Sequence, residues 1–127
     1  MIVVDASAAL SALLNDGPAR RLLGTERLHT PHLIDSEIAN GLRRSVRASQ
    51  LSANEGWTAL SAWRRLAITR YSVRGLFERI WDLRDNVSAY GASYVALAES
   101  LDCDLVTADA RLSRVTTIRC PVTVVPR

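Results

Sequence analysis

Two short, unbroken apolar runs near opposite ends of the chain each lead to an aspartate. Ile2-Val3-Val4 ends at Asp5, and Leu105-Val106-Thr107 is followed, after one alanine, by Asp109. Aliphatic and β-branched runs without polar alternation read as strands covered on both faces, the pattern of a parallel sheet between helix layers. Residues 7–14 then place Ala9, Leu10, Leu13 and Leu14 at helical spacing, so a buried strand runs straight into a helix. Asp16-Gly17-Pro18 ends that helix and starts a second, which runs to about Gly24. Thr30-Pro31 introduces a third, with Ile34, Ile38, Leu42 and Val46 on one stripe. Residues 52–66 form a fourth, with Ser52 and Glu55 at capping-box spacing, and the third and fourth helices pair as an antiparallel arm. A second strand is expected at residues 67–71, a helix at 73–84, a Ser88-capped helix to residue 101 and a strand at 104–107. A turn of helix at 109–113 and strands at 117–118 and 122–125 close the chain. The predicted fold is α/β, with a mainly parallel central sheet flanked by helices in three Rossmann-like layers. The carboxyl ends of its strands share one edge, where ligands bind in such sheets.

Residues 1–127 read as one domain, with no internal repeat, low-complexity tract or linker. Asp5 interrupts the apolar start and no basic leader precedes it, so a signal peptide is not expected. No apolar stretch approaches the ~18 residues of a membrane span. The expectation is a soluble, cytoplasmic protein with Cys103 and Cys120 as reduced thiols. The net charge is +3, and all 16 basic residues are arginine. Arginine's planar fork suits phosphate oxygens. Arg43, Arg44 and Arg47 form one cluster, the candidate nucleic-acid-binding set, and Arg64, Arg65, Arg70 and Arg74 form another; each is either a solvated helix face or a nucleic-acid track.

Asp5 and Asp109 each have a second reading as helix N-caps. Glu37 is harder to read as ordinary surface, because Gly41 stands where a basic partner would be expected and Ile34 and Ile38 flank it. Asp5, Glu37 and Asp109 brought together would repel unless a cation lay between them. Hard carboxylate oxygens suit Mg²⁺ or Mn²⁺. Ser7 and Thr107 are supporting candidates, or else simple helix and turn hydrogen-bonders. His29 and His32 lack a third zinc ligand and are assigned to a turn and helix start. Trp57, Leu60, Trp63 and Leu66, with Trp81 beyond them, are assigned to the core; the alternative is an exposed groove for a partner's amphipathic helix.

Four segments, Ile2-Val3-Val4-Asp5-Ala6-Ser7, Pro31-His32-Leu33-Ile34-Asp35-Ser36-Glu37, Tyr90-Gly91-Ala92-Ser93-Tyr94-Val95-Ala96-Leu97-Ala98-Glu99 and Leu105-Val106-Thr107-Ala108-Asp109, resemble in order and spacing the PIN-domain toxins called VapC. The resemblance spans essentially the whole chain. It implies a Mg²⁺-dependent endoribonuclease, the toxin half of a toxin–antitoxin pair, with a VapB-like antitoxin as partner, RNA as substrate and a homodimeric state. The implied products carry a 5′-phosphate and a 3′-hydroxyl. Asp5, Glu37 and Asp109 match three of the family's acids. Gly91 stands at the fourth, with Ser93 or Thr107 nearby as partial substitutes that bring no charge. The departure implies weaker metal binding, or a PIN-fold module that binds antitoxin or RNA without cutting. Receiver domains and haloacid-dehalogenase phosphatases need a lysine, and this chain has none.

Overall fold

The computed structural model describes residues 1–127. Five strands, β1 (Ile2–Val4), β2 (Leu28–Pro31), β3 (Ile68–Tyr71), β4 (Asp104–Thr107) and β5 (Val122–Val124), form one sheet in the order β3-β2-β1-β4-β5. Every pairing is parallel. Around it lie α1 (Ala6–Leu14), α2 (Pro18–Thr25), α3 (Ile34–Arg47), α4 (Ala53–Arg64), α5 (Phe77–Asp82) and α6 (Ala89–Leu101). Strand order advances outward from β1 through β2 to β3, then returns to β4 on β1's other side. That reversal, with right-handed crossovers, puts α6 on the face opposite α1 and opens a crevice between the carboxyl ends of β1 and β4.

The central strands are the unbroken apolar runs: Val3, Val4 and Leu105 have no exposed surface. The outer strands β3 and β5 are less covered. Helix α6 packs against β1, β2 and β4 and buries every residue from Ala92 to Ala98, three of them alanines that let its backbone lie close to the sheet. On α3, a Cβ at Gly41 would lie 2.5 Å from Leu10 Cδ1 of α1, so Leu10 would have to move for any larger residue. The capping box at Ser52 and Glu55 is formed, with both reciprocal bonds present.

Several expected elements differ. Thr30-Pro31 does not start a helix; it ends β2, and α3 begins at Ile34 after a turn at His32-Leu33. Leu28 and Thr30 point inward, but the run is too short to declare itself beside Arg27 and His29. His29 therefore lies in a strand, where its Nδ1 meets the Tyr71 hydroxyl at 2.6 Å, not at a helix start. Residues 117–118 are no strand, and 73–84 divides into a 3₁₀ turn, Arg74–Leu76, and the short α5. The tryptophans also divide. Trp63 is 2% exposed and donates Nε1–H to Asp35, whereas Trp57 is 57% and Trp81 68% exposed. A spacing of three falls about 60° short of a full turn at each step, so the expected stripe winds around α4 and cannot all face the core. Leu66 lies beyond the helix end.

Cys103 and Cys120 are free thiols. No helix is long and apolar enough to cross a membrane.

Candidate active site

Asp5 follows β1 directly and caps α1, its Oδ1 accepting Ala8 N–H at 3.0 Å. The same oxygen accepts the Ser7 hydroxyl at 2.7 Å, and Oδ2 accepts the Thr107 hydroxyl. Ser7 in turn accepts Ala108 N–H, and Thr107 accepts Asp109 N–H, at 2.8 and 3.0 Å. The serine and threonine hydroxyls thus clasp the end of β1 to the end of β4, and the cap reading of Asp5 holds. Asp109 likewise caps the 3₁₀ turn Ala110–Arg114 through Arg111 N–H.

Glu37 occupies the first turn of α3 and accepts the Tyr94 hydroxyl from α6 at 2.5 Å. Asp5, Glu37 and Asp109 all line one cleft of about 510 Å³ at the sheet's carboxyl edge. Gly91 and Tyr94 form part of its wall, and Arg111 and Arg127 add two guanidinium groups. Burial pushes the Asp5 carboxyl above its ordinary value, outweighing its three hydrogen bonds, and the Asp109 charge pushes the same way. Burial also raises Glu37, with the Asp5 charge adding to it and the Tyr94 hydroxyl and Arg44 opposing. Asp109 moves down instead, because Arg111 hydrogen-bonds it from the solvent side.

Asp109 raises the proton affinity of Asp5 and Asp5 that of Glu37, and the three hard carboxylates form a donor set suited to a divalent cation. They do not converge in this arrangement: no three Asp, Glu, His or Cys side chains close around a common point, and Asp109 is turned onto Arg111.

Gly91 is the third residue of α6, its N–H donated to the Ser88 hydroxyl at 3.2 Å. A Cβ there would lie 2.8 Å from Val87 Cγ1, so any side chain at this position displaces a buried valine. Ser93 is engaged within its own helix. Its hydroxyl is spent on Ala89 O within α6, at 2.8 Å, because a helical serine facing a packed neighbour bonds back to its own turn.

The arginine clusters also resolve differently from their sequence grouping. Arg44 is near enough to Glu37 to affect its charge, while Arg43 and Arg47 line a separate apolar groove between α3 and α4 with Trp57 and Leu60. Arg70 forms a bidentate pair with Asp35 at 2.7 and 2.9 Å and is not a free cation. Tyr94 and Arg111 touch the site carboxylates directly, yet neither stood out in the sequence. Tyr94 reads as another buried aromatic of α6, and Arg111 sits two residues beyond an acid, a spacing with no helical meaning.

The chain matches the PIN domain family over residues 2–118. It is 68% identical to Ribonuclease VapC9 of Mycobacterium tuberculosis over 127 residues, covering 100% of each chain. It is 40% identical to Ribonuclease VapC1 of the same organism over 129 residues, covering 97% of this chain and 96% of that one. Among solved structures it resembles Mycobacterium tuberculosis VapC20, described as a sarcin-ricin loop cleaving toxin, with a TM-score of 0.66 at 20% identity; the match covers 95% of this chain and 100% of that one. It also resembles VapBC2 of Rickettsia felis, solved bound to a DNA fragment from its promoter, with a TM-score of 0.67 at 14% identity over 97% of this chain and 99% of that one. The apolar runs ending in acids, the parallel sheet with its reversal at β1 and the shared acidic cleft agree with these likenesses: this chain belongs to the PIN-domain family of VapC ribonucleases.

Proposed function

We propose that the protein is a Mg²⁺- or Mn²⁺-dependent endoribonuclease and the toxin of a type II toxin–antitoxin pair. The observation that carries this reading is the shared cleft: Asp5, Glu37 and Asp109 come from the end of β1, the start of α3 and the end of β4, yet all three face it. When bound, a divalent ion lowers the pKa of a water and offsets charge developing on a phosphoryl group. Asp5 and Asp109 would hold the ion, and Glu37 would complete the set or accept a proton from the attacking water. Tyr94 fixes the Glu37 carboxylate, while Ser7 and Thr107 fix that of Asp5, so neither has to reorganise during reaction. Arg127, which lines the cleft, and Arg44, close enough to Glu37 to act on its charge, supply phosphate contacts for RNA, whereas Arg43 and Arg47 line the groove between α3 and α4.

The test is Mg²⁺- and Mn²⁺-dependent cleavage of a structured RNA pool by this protein, by Gly91→Asp and by Asp5→Ala in the Gly91→Asp background. Cutting by the protein as it stands, strengthened by Gly91→Asp and abolished by Asp5→Ala, supports a three-acid nuclease. Cutting by Gly91→Asp alone favours the second reading, for which the glycine at the fourth acid position speaks. In that reading the chain is a PIN-fold module that binds antitoxin or RNA without catalysis. A VapB-like antitoxin is the partner in either case, and the groove between α3 and α4, with the exposed Trp57, is the surface we assign to its apolar helix. Homodimerisation belongs to the same proposal and is checked by size exclusion with light scattering.

A further inference from the structure

Of the three cleft carboxylates, only Asp109 is neutralised by an ion pair. Arg111 Nε lies 3.0 Å from Oδ1 and Nη2 lies 2.8 Å from Oδ2, so one guanidinium covers both oxygens. The Arg111 backbone N–H also reaches Oδ1 at 3.0 Å. The arginine is no part of the packing: its side chain is 82% exposed, against 24% for Asp109, and it lies over the carboxylate from the solvent side. Asp5 and Glu37 are held by hydroxyl and amide donors, which leave lone pairs free for a cation. A bidentate guanidinium takes the directions that a hard cation would use on Asp109. The pair is also easily exchanged, because solvent-exposed ion pairs gain little and hold a long side chain in one rotamer.

A divalent ion entering the cleft therefore meets an occupied third ligand. The displaced guanidinium stays within the same short 3₁₀ turn at the cleft mouth, where RNA phosphate oxygens would offer the same forked geometry as the carboxylate it left. We propose that Arg111 is an exchangeable clamp: it holds Asp109 when no cation is bound, and on cation binding it transfers to a phosphate of the substrate. This inference rests on the metal-dependent nuclease reading above. It makes Arg111 a positioning residue that links cation binding to RNA binding through one side chain.

The test follows free Mn²⁺ by electron paramagnetic resonance during titration of the protein, Arg111→Ala and Arg127→Ala. Arg127 also lies at the cleft and acts on Asp109 by its charge alone. Arg111→Ala should bind Mn²⁺ about two- to fivefold more tightly, the range expected for removing an exposed pair that competes with the ion. Arg127→Ala should gain less than half of that. RNA binding is then read by stopped-flow anisotropy with a labelled single strand, ahead of turnover. Without Mn²⁺ the salt dependences of the parent and Arg111→Ala should coincide, and with Mn²⁺ the parent's log–log slope should be steeper by about 0.7, one single-strand phosphate contact.

Equal Mn²⁺ affinity of the parent and Arg111→Ala, or equal tightening by Arg127→Ala, would overturn the clamp while leaving the metal site standing. Coincident RNA slopes in Mn²⁺ would overturn the transfer to phosphate. If neither the parent nor Gly91→Asp binds Mn²⁺, the nuclease reading falls and takes the clamp with it.

Discussion

Placing alanine at Gly91 sets two opposing effects against each other, and the structure says which is larger. Alanine is favoured over glycine by up to about 1 kcal/mol within a helix, and by less at the third position, near the end. Against this, the new Cβ would sit 2.8 Å from Val87 Cγ1. Val87 is 9% exposed and β-branched, so it escapes only by leaving its rotamer or by shifting the turn before α6. Overpacking of this kind costs about 1–3 kcal/mol. The expected net effect is a destabilisation of about 1 kcal/mol, or roughly a 4 °C fall in Tm for a chain of this size. The assay is urea denaturation of a double-mutant cycle with Val87→Ala. With Val87 truncated the clash is gone, and the same Gly91→Ala should stabilise by about 0.5 kcal/mol. Gly91→Asp meets the same valine and adds a fourth carboxylate, so in chelator it should be no more stable than Gly91→Ala. With Mg²⁺ at about a hundred times its dissociation constant it should recover about 2.7 kcal/mol. Gly91→Ala more stable than the parent while Val87 is intact would refute the steric argument. Equal Mg²⁺ stabilisation of Gly91→Asp and the parent would refute the assignment of this position to the site.

Thr107→Val keeps the shape but leaves Asp5 Oδ2 and the Asp109 N–H without their partner, and should cost about 2 kcal/mol with an unchanged urea m-value. Tyr94→Phe removes the only hydroxyl donated to Glu37; it should cost about 1 kcal/mol by urea denaturation and weaken Mn²⁺ binding in the same titration. Because Asp5 and Glu37 are pushed above their ordinary values of 3.8 and 4.5, the metal-free folded state binds more protons than the unfolded chain just above that range. These two groups therefore make metal-free stability fall as pH rises through the window, while Mn²⁺ affinity rises through it and levels off above. Asp109 and Asp35 are shifted down, so their contributions are lost only as pH falls below 3.8 and lie outside this window. Because His29, lowered by burial, works in the opposite direction near neutral pH, denaturation midpoints across mildly acid to neutral pH are compared in the His29→Gln background, alongside Mn²⁺ titrations; Mn²⁺ affinity independent of pH would count against Asp5 and Glu37 as ligands.

What was legible in the sequence follows from how locally each feature is encoded. β1 and β4 declare themselves because both their faces are covered, which leaves only aliphatic residues in β1 and at the centre of β4. The Ser52 and Ser88 caps are readable because a cap is a contact between residues three apart. β2 was missed because its inward residues, Leu28 and Thr30, alternate with charged and polar neighbours over only four positions, and a terminal proline fits a strand end as well as a helix start. In the site, the three acids could be picked out by their placement at strand ends and on an apolar helix face. Their partners could not. Tyr94 meets Glu37 across 57 residues of sequence and Thr107 meets Asp5 across 102, and no periodicity along the chain reports such a pairing. The exposure of Trp57 was similarly hidden, since it depends on how α4 is rotated against α3.

The bond between Thr107 and Asp5 also carries a timetable. The one group that holds the Asp5 carboxylate from across the sheet, the Thr107 hydroxyl, comes from the end of β4, 102 residues on. During synthesis at ~5–20 residues per second, the first strand waits roughly 5–20 s before the strand that completes its cleft exists. A nascent chain therefore displays Asp5 and Glu37 without Thr107, Asp109 or Arg111, and the cleft is assembled only after β4 has left the ribosome. Any partner that binds the α3–α4 arm has its surface available earlier, because that arm is finished by residue 64. The order of the chain thus lets such a partner arrive before the cleft exists.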